Sequence, residues 1–343
     1  MLRHVRATFA VLLLLLIGAE AAAHPPYGLV ADERGNLYFS DLEAVWRMRP
    51  DGRLVLFRPA VADVHVHELR LAPGGEIIGD ENRYDPASQT FYTAIWRRSP
   101  DGRESYLLPS TAAPPNGSGL WVDARGNSYS AQWLSSEDRR TILLRRSPQG
   151  RSDVLFGDRK AGAAFRQVIV SSVGGMAFAA DGSLLFADGP ALRRLSPAGQ
   201  VTRLFQGEGV TVLRGIVAAP GGRVLAADSG NGRLLSIGSD GRAEPLYRSP
   251  RGWLPMAVAL AGGRLWALEA EDDPNHRSHR VRVIEVKDGR GRVVAMPGQT
   301  ATNLQSTPPE REGWAGIAGG AMLAAVGGAY LLRRARARRL QRP

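Results

Sequence analysis

The run DVHVHEL places Asp63, His65, His67 and Glu68 side by side. In an extended chain, residues two apart project to the same side. His65 and His67 can then share a divalent transition metal through neutral imidazole nitrogens, with Glu68 as an oxygen donor. His24 would add an amine and a ring if a leader is removed ahead of it. The other reading is that two strand histidines hydrogen-bond within a polar channel, since the HxH pattern alone supplies too few ligands to define a metal site.

Other polar and aromatic residues stand at or near the starts of apolar, strand-like runs: Tyr27, Asn116, Ser118, Ser172, Arg214 and Trp253. Such a set can hold a sugar, an anion or a peptide, and Arg214 suits a carboxylate or phosphate. These can equally be ordinary loop residues. No Ser-His-Asp order, phosphate-binding glycine loop or helical zinc motif is present.

The elements that position these residues repeat. GLVADERGNLYFSD (28–41) is echoed by runs starting at 68, 119, 175, 215 and 257, at spacings of 40, 51, 56, 40 and 42 residues. Each unit reads as an apolar strand, a glycine turn, a second strand that commonly ends in an acidic residue, a third strand, a Pro-Asp-Gly-like turn and a fourth strand. Six units of four strands at a period of ~40–45 residues predict an all-β fold, a six-bladed β-propeller of four-stranded blades. Asp41, Asp188, Asp228 and Glu269 recur blade after blade and read as turn and packing groups. RYDPASQTFY (83–92) and LSSEDRR (134–140) read as insertions between second and third strands. Every blade is contiguous in sequence, which leaves ring closure to packing between neighbours. Arginines such as Arg97, Arg98, Arg145, Arg146, Arg193 and Arg194 recur once per blade and are expected on a solvated outer face.

VLAADSGNGRLLSIGSDG (224–241), with GLVADERGNLYFSD and GLWVDARGN, resembles the NHL-repeat and gluconolactonase-like (regucalcin-like) six-bladed propellers over roughly residues 25–298. That resemblance implies a calcium ion at the mouth of the central channel, held by a Glu, two Asn and an Asp placed just before the inner strands. Those positions here are Tyr27, His67, Ser118, Gly174, Arg214 and Met256, and only nearby Asn116 could pass for a ligand. The calcium set is therefore expected to be largely missing.

The ends carry a different message. Of 343 residues, 44 are Lys or Arg and 33 Asp or Glu, a formal charge of +11, with no cysteine to support disulfides or thiolate chemistry. Arg3, Arg6 and the arginines from 333 to 342 supply most of the excess; without them and Glu20, 36 basic residues face 32 acidic ones. The basicity thus reads as membrane topology and not as a nucleic-acid surface. Residues 1–23 have the basic, apolar and small-residue layout of a signal peptide. Residues 24–300 are the propeller and 301–313 a polar linker. The uncharged run 314–332 would span about 28 Å as a transmembrane helix, and the basic tail 333–343 is expected in the cytoplasm. Gly316 and Gly320 form a GxxxG that can pair two copies.

The sequence therefore predicts an exported, single-pass protein of the bacterial cell envelope, a platform for a small molecule or envelope protein at the channel mouth. The alternative is a metal-dependent hydrolase, lactonase or lyase working at the same mouth.

Overall fold

The computed structural model describes residues 26–72, 74–88, 90–112, 121–123, 125–133, 141–156, 173–272 and 280–298. The leader, the linker, the apolar run 314–332 and the basic tail lie outside them. Among the described residues no helix is long and apolar enough to cross a membrane.

Six antiparallel sheets follow one another along the chain, each in sequence order. Blade one comprises β1 (Leu29–Ala31), β2 (Leu37–Ser40), β3 (Val45–Met48) and β4 (Leu54–Arg58). Blade two comprises β5 (Val64–His65), β6 (Leu69–Leu71), β7 (Ile77–Asp85), β8 (Thr90–Arg98) and β9 (Glu104–Ala112). Blade three comprises β10 (Trp121–Val122), β11 (Ser128–Trp133), β12 (Thr141–Arg146) and β13 (Ser152–Phe156). Blade four comprises β14 (Val173–Phe178), β15 (Leu184–Asp188), β16 (Ala191–Leu195) and β17 (Val201–Gln206). Blade five comprises β18 (Leu213–Ala219), β19 (Arg223–Asp228), β20 (Arg233–Ile237) and β21 (Ala243–Arg248). Blade six comprises β22 (Trp253–Ala261), β23 (Arg264–Glu271), β24 (Val281–Lys287) and β25 (Arg290–Ala295).

The repeated phrase is the outer hairpin of each blade. Its turn needs a left-handed residue, supplied in blade one by Gly52 at φ +83°. Past the turn, every blade skips one residue of its outermost strand: Phe57, Leu107, Leu155, Leu204, Leu246 and Val294. A bulge at the same register in all six blades bends the outer edge and strengthens its twist, which explains the apolar pair that ends each phrase.

The inner wall is held by close approach. A Cβ on Gly215 of blade five would lie 2.7 Å from the Cα of Ala257 in blade six, so the glycine lets adjacent inner strands touch. Among the described residues no strand is exchanged between the first and last blades. Closure rests on one apolar cluster in which Leu29, Leu37, Phe39 and Met48 of blade one pack with Met256, Trp266, Leu268 and Val283 of blade six.

One expectation is sharpened and one changes. The insertion between the second and third strands of blade two lengthens its hairpin, with β7 and β8 paired out to Asp85 and Thr90. Phe91 stacks on Tyr84 there at 4.8 Å between ring centroids, and alternation through NRYD and TFYT sustains the ladder. The recurring arginines are also less solvated than expected: Arg193 pairs with buried Asp188 at 2.6 Å and Arg98 with Glu104 at 3.0 Å.

Candidate functional site

Inner strands begin, and second strands end, at the same end of each blade. The pairings of Val173 with Asp188, Leu213 with Asp228 and Pro255 with Glu269 fix this geometry. At that end Tyr27 and His67 stand just before β1 and β6, Gly174 and Arg214 are the second residues of β14 and β18 and not, as expected, ahead of the strands, and Met256 lies inside β22, buried in the core. His24, Asn116, Ser118 and Ser172 lie outside the described residues.

Arg214 belongs to blade five and Tyr27 to blade one, with blade six between them around the ring. Their side chains nevertheless meet, the guanidinium carbon 5.2 Å from the Tyr27 ring centroid. Tyr27 in turn donates its backbone N–H to the carbonyl of His67 at 2.7 Å. Three sequence-predicted residues from blades one, two and five thus form one constellation. Trp253 belongs to a separate stack on blade six, with the Arg282 guanidinium carbon 4.0 Å from its ring centroid and Arg280 at 5.9 Å.

In blade two, β5 pairs His65 with Asn82. Val66 is buried and donates its N–H to Leu42 of blade one at 2.7 Å, while Ser40 Oγ donates to the Val66 carbonyl at 2.7 Å. The flanking rings of His65 and His67 lie edge to face with centroids 6.1 Å apart. Thr93 Oγ1 donates to Asn82 Oδ1 at 2.7 Å and so orients the amide, whose Nδ2 lies 3.0 Å from His67 Nδ1. Nδ1 is then an acceptor, and neutral His67 carries its proton on Nε2.

Behind His67 lie two carboxyl groups that the sequence reading did not bring together. Glu68 is 2% exposed and pairs with Arg70 at 2.9 Å. Asp80 is 5% exposed and accepts the Glu68 N–H at 2.7 Å, with Asn82 Nδ2 at 3.4 Å. Burial, and then the charge of Glu68, push Asp80 up to about 7, although the N–H groups of Glu68 and His67 pull the other way. Arg70 also lies over Trp121 of blade three at 5.4 Å. A signal for both carboxyls existed in the repeats. Glu68 occupies the column of Gly28, Gly175, Gly215 and Ala257, and Asp80 that of Ser40, Ala131, Ala187, Ala227 and Leu268.

The metal candidates are otherwise engaged: Glu68 pairs with Arg70, and His67 Nδ1 faces Asn82. Among the described residues no three His, Asp or Glu side chains converge on a metal position. Asp63 is exposed. The acidic ends of the second strands are packing groups: Asp228 pairs with Arg233 at 2.9 Å, Glu269 with Arg282 at 2.7 Å, and Asp41 accepts from Trp46 Nε1 at 2.6 Å.

No protein-family model matches this sequence, and no curated protein matches it either. Solved structures match by shape. Regucalcin from Agrobacterium tumefaciens C58, described as a calcium-binding protein, is 16% identical with a TM-score of 0.54, over 78% of this chain and 93% of that one. A gluconolactonase from Xanthomonas campestris is 15% identical with a TM-score of 0.52, over 71% and 83%. The PQQ-bound aldose sugar dehydrogenase of Streptomyces coelicolor is 16% identical with a TM-score of 0.55, over 79% and 93%. The fold is the regucalcin-like six-bladed propeller. At such identities the likeness is one of fold.

The described residues near the starts of the inner strands do not present the donors a calcium ion needs. Calcium takes six to eight oxygens, whereas these positions offer a phenol, an imidazole, a glycine, a thioether and a guanidinium. Arg214 would set a positive charge against the ion, its guanidinium reaching across to Tyr27.

Proposed function

We propose that this chain is a recognition protein: an exported propeller, tethered by the apolar run 314–332, that binds a ligand or envelope partner at its channel mouth. The observation that carries the reading is the contact between Arg214 and Tyr27, which brings two blades' side chains together over the channel without a catalytic constellation of their own. An aromatic face beside a cation, next to the donor and acceptor groups of His67 and Asn82, is suited to orient a polar small molecule. Trp253 on blade six, under Arg282, offers a second, separate aromatic face. The basic start, the small residues before His24 and the arginines behind residue 332 support export and anchoring; the Gly316/Gly320 stripe supports a homodimer.

The binding test is a ligand panel on the full chain, comprising neutral sugars, sugar acids, phosphates and short peptides, read by thermal shift and calorimetry. Binding that weakens in Tyr27→Ala or His67→Ala supports the platform. A panel that is silent throughout overturns it. For topology, protease added outside spheroplasts should degrade the propeller. An intact propeller with a clipped tail would refute the orientation.

A second reading, a hydrolase or lyase at the same mouth, is favoured by the Asp80, Asn82 and His67 chain, in which a carboxyl poised near neutrality is linked through an amide to an imidazole. The gluconolactonase and sugar dehydrogenase among the structural neighbours make lactones, esters and aldoses the substrates to screen. Turnover that is lost in both His65→Ala and His67→Ala would favour the enzyme over the platform.

A further inference from the structure

We infer that the ligand of this mouth carries an oxyanion, a carboxylate or phosphate group, and that Arg214 is the residue that grips it. This rests on the reading of the mouth as the recognition face. The starting point is how differently Arg214 is treated from its fellow arginines at the same end of the blades. Arg193, Arg233 and Arg282 each bond a carboxylate at the end of a second strand, at 2.6, 2.9 and 2.7 Å. Arg70 bonds Glu68 at 2.9 Å and Arg280 bonds Glu271 at 3.0 Å. Among the described residues no carboxylate lies within ion-pair distance of Arg214, and its Nε is buried with no hydrogen-bond partner.

A half-buried guanidinium stripped of water at Nε and given no acceptor is an unfavourable arrangement that a ligand can relieve. Its contact with Tyr27 uses the ring face, which stabilises the cation and holds it in place but satisfies none of its N–H donors. A guanidinium positioned in this way is prepared for the two-pronged bonds that carboxylates and phosphates accept.

The surroundings favour an anion over a cation. Among the described residues, the carboxyls that end the second strands, together with Glu68 and Asp80, are paired, hydrogen-bonded or buried. Asp188, Asp228, Glu269 and Glu68 are buried against their own arginines. Asp41 accepts from Trp46 Nε1 and from the N–H groups of Glu43 and Ala44. Asp80 is buried beneath His67 and Glu68. His67 has Nδ1 3.0 Å from the Asn82 amide, which places the proton of the neutral ring on Nε2. Among these groups the charge left without a counter-ion is that of Arg214.

The test is calorimetric titration of the full chain, purified in detergent, with inorganic phosphate and D-gluconate as separate titrants and glucose as the neutral control. The phosphate and gluconate arms distinguish the two kinds of oxyanion. Saturable binding of at least one is expected. Arg214→Gln should weaken it about 10- to 100-fold, the range for losing a charged hydrogen-bond partner, and Arg214→Lys should retain part of it because the charge remains while the fork is lost. Thermal melts of both variants check the fold; should Arg214→Gln not fold, the Arg214→Lys titration decides, with unchanged affinity counting against the fork. Anion binding that is unaltered in Arg214→Gln overturns the assignment. If glucose binds and neither anion does, the oxyanion inference fails while the platform survives. Silence from all three, and from the wider panel, removes both.

Discussion

Asp80→Asn should make the propeller more stable at alkaline pH and abolish part of its pH dependence. Glu68 and Asp80 are two carboxyls joined by the Glu68 N–H. Glu68 has Arg70 as a counter-ion at 2.9 Å, whereas Asp80 has amide donors and no cation bonded to it, so the proton belongs on Asp80. Burial raises Asp80 from 3.8 to about 7. A carboxyl raised on folding contributes stability that is fully present below the unfolded value and is lost as pH rises through the folded one. Between 3.8 and about 7 the unfolded chain has released this proton and the folded chain holds it, so stability falls as pH rises. The slope approaches ~1.4 kcal/mol per pH unit and the total loss is about 4 kcal/mol once both states are ionised.

Asparagine keeps an oxygen to accept the Glu68 N–H and cannot ionise. Its new amide group would face Asn82 Nδ2, which costs about 1 kcal/mol unless Asn82 turns over. The assay is urea unfolding of the wild type and variant from about pH 4 to about pH 9, followed by tryptophan fluorescence, with the difference in unfolding free energy plotted against pH. The variant should gain on the wild type across this window and level off above about pH 8. A difference that stays flat within about 0.5 kcal/mol would refute the reasoning, because it would mean that Asp80 is ionised in the fold at acid pH and held there by its N–H donors.

Gly79→Ala should destabilise blade two by about 3 kcal/mol or prevent folding, since the new Cβ would lie 2.2 Å from the ring of fully buried Trp96; a urea midpoint or soluble yield equal to wild type would contradict that packing. Phe39→Ala should cost about 3–5 kcal/mol, and hydrogen exchange should then rise first in blades one and six, because this cluster alone closes the ring. Exchange rising evenly over all six blades would argue against closure by that cluster. Excess calcium should leave the melting temperature where a chelator leaves it, whereas a site filled at a hundred times its dissociation constant would add about 2.7 kcal/mol. A clear upward shift with calcium would show that the mouth has donors beyond those described.

What could be read from the sequence was whatever repeats. The glycine turns, the contiguous blades and the acidic ends of the second strands recur often enough to give period, blade count and topology, whereas the bulge in each outermost strand was not read from them. Contacts between unlike parts of the repeat were not legible. Nothing in the local pattern around Arg214 or Tyr27 says that one side chain crosses in front of blade six to reach the other. The insertion at 83–92 was legible as added length around the turn formers Asp85, Pro86 and Ser88, but the pairing of its two arms as strands out to Asp85 and Thr90 was not. The carboxyl pair could have been found by aligning the repeats column by column, because Glu68 breaks a row of glycine and alanine and Asp80 a row of mostly small residues.

Those departures bear on where selection for chemistry can act in this fold. A ring closed by packing, with inner strands so close that Gly215 has no room for a side chain beside Ala257, leaves little freedom in its walls. Substitutions there must be compensated on the spot, as Arg70 compensates Glu68 and a proton compensates Asp80. Near the starts of the inner strands the constraint eases, and the residues there differ between blades: Tyr27, His67, Gly174 and Arg214, with buried Met256 further inside β22. Of these, Arg214 alone carries a permanent charge, and among the described residues it has no carboxylate of the kind that Arg193, Arg233 and Arg282 on the third strands receive. Held against the Tyr27 ring at the channel mouth, that guanidinium is where the inferred oxyanion would bind.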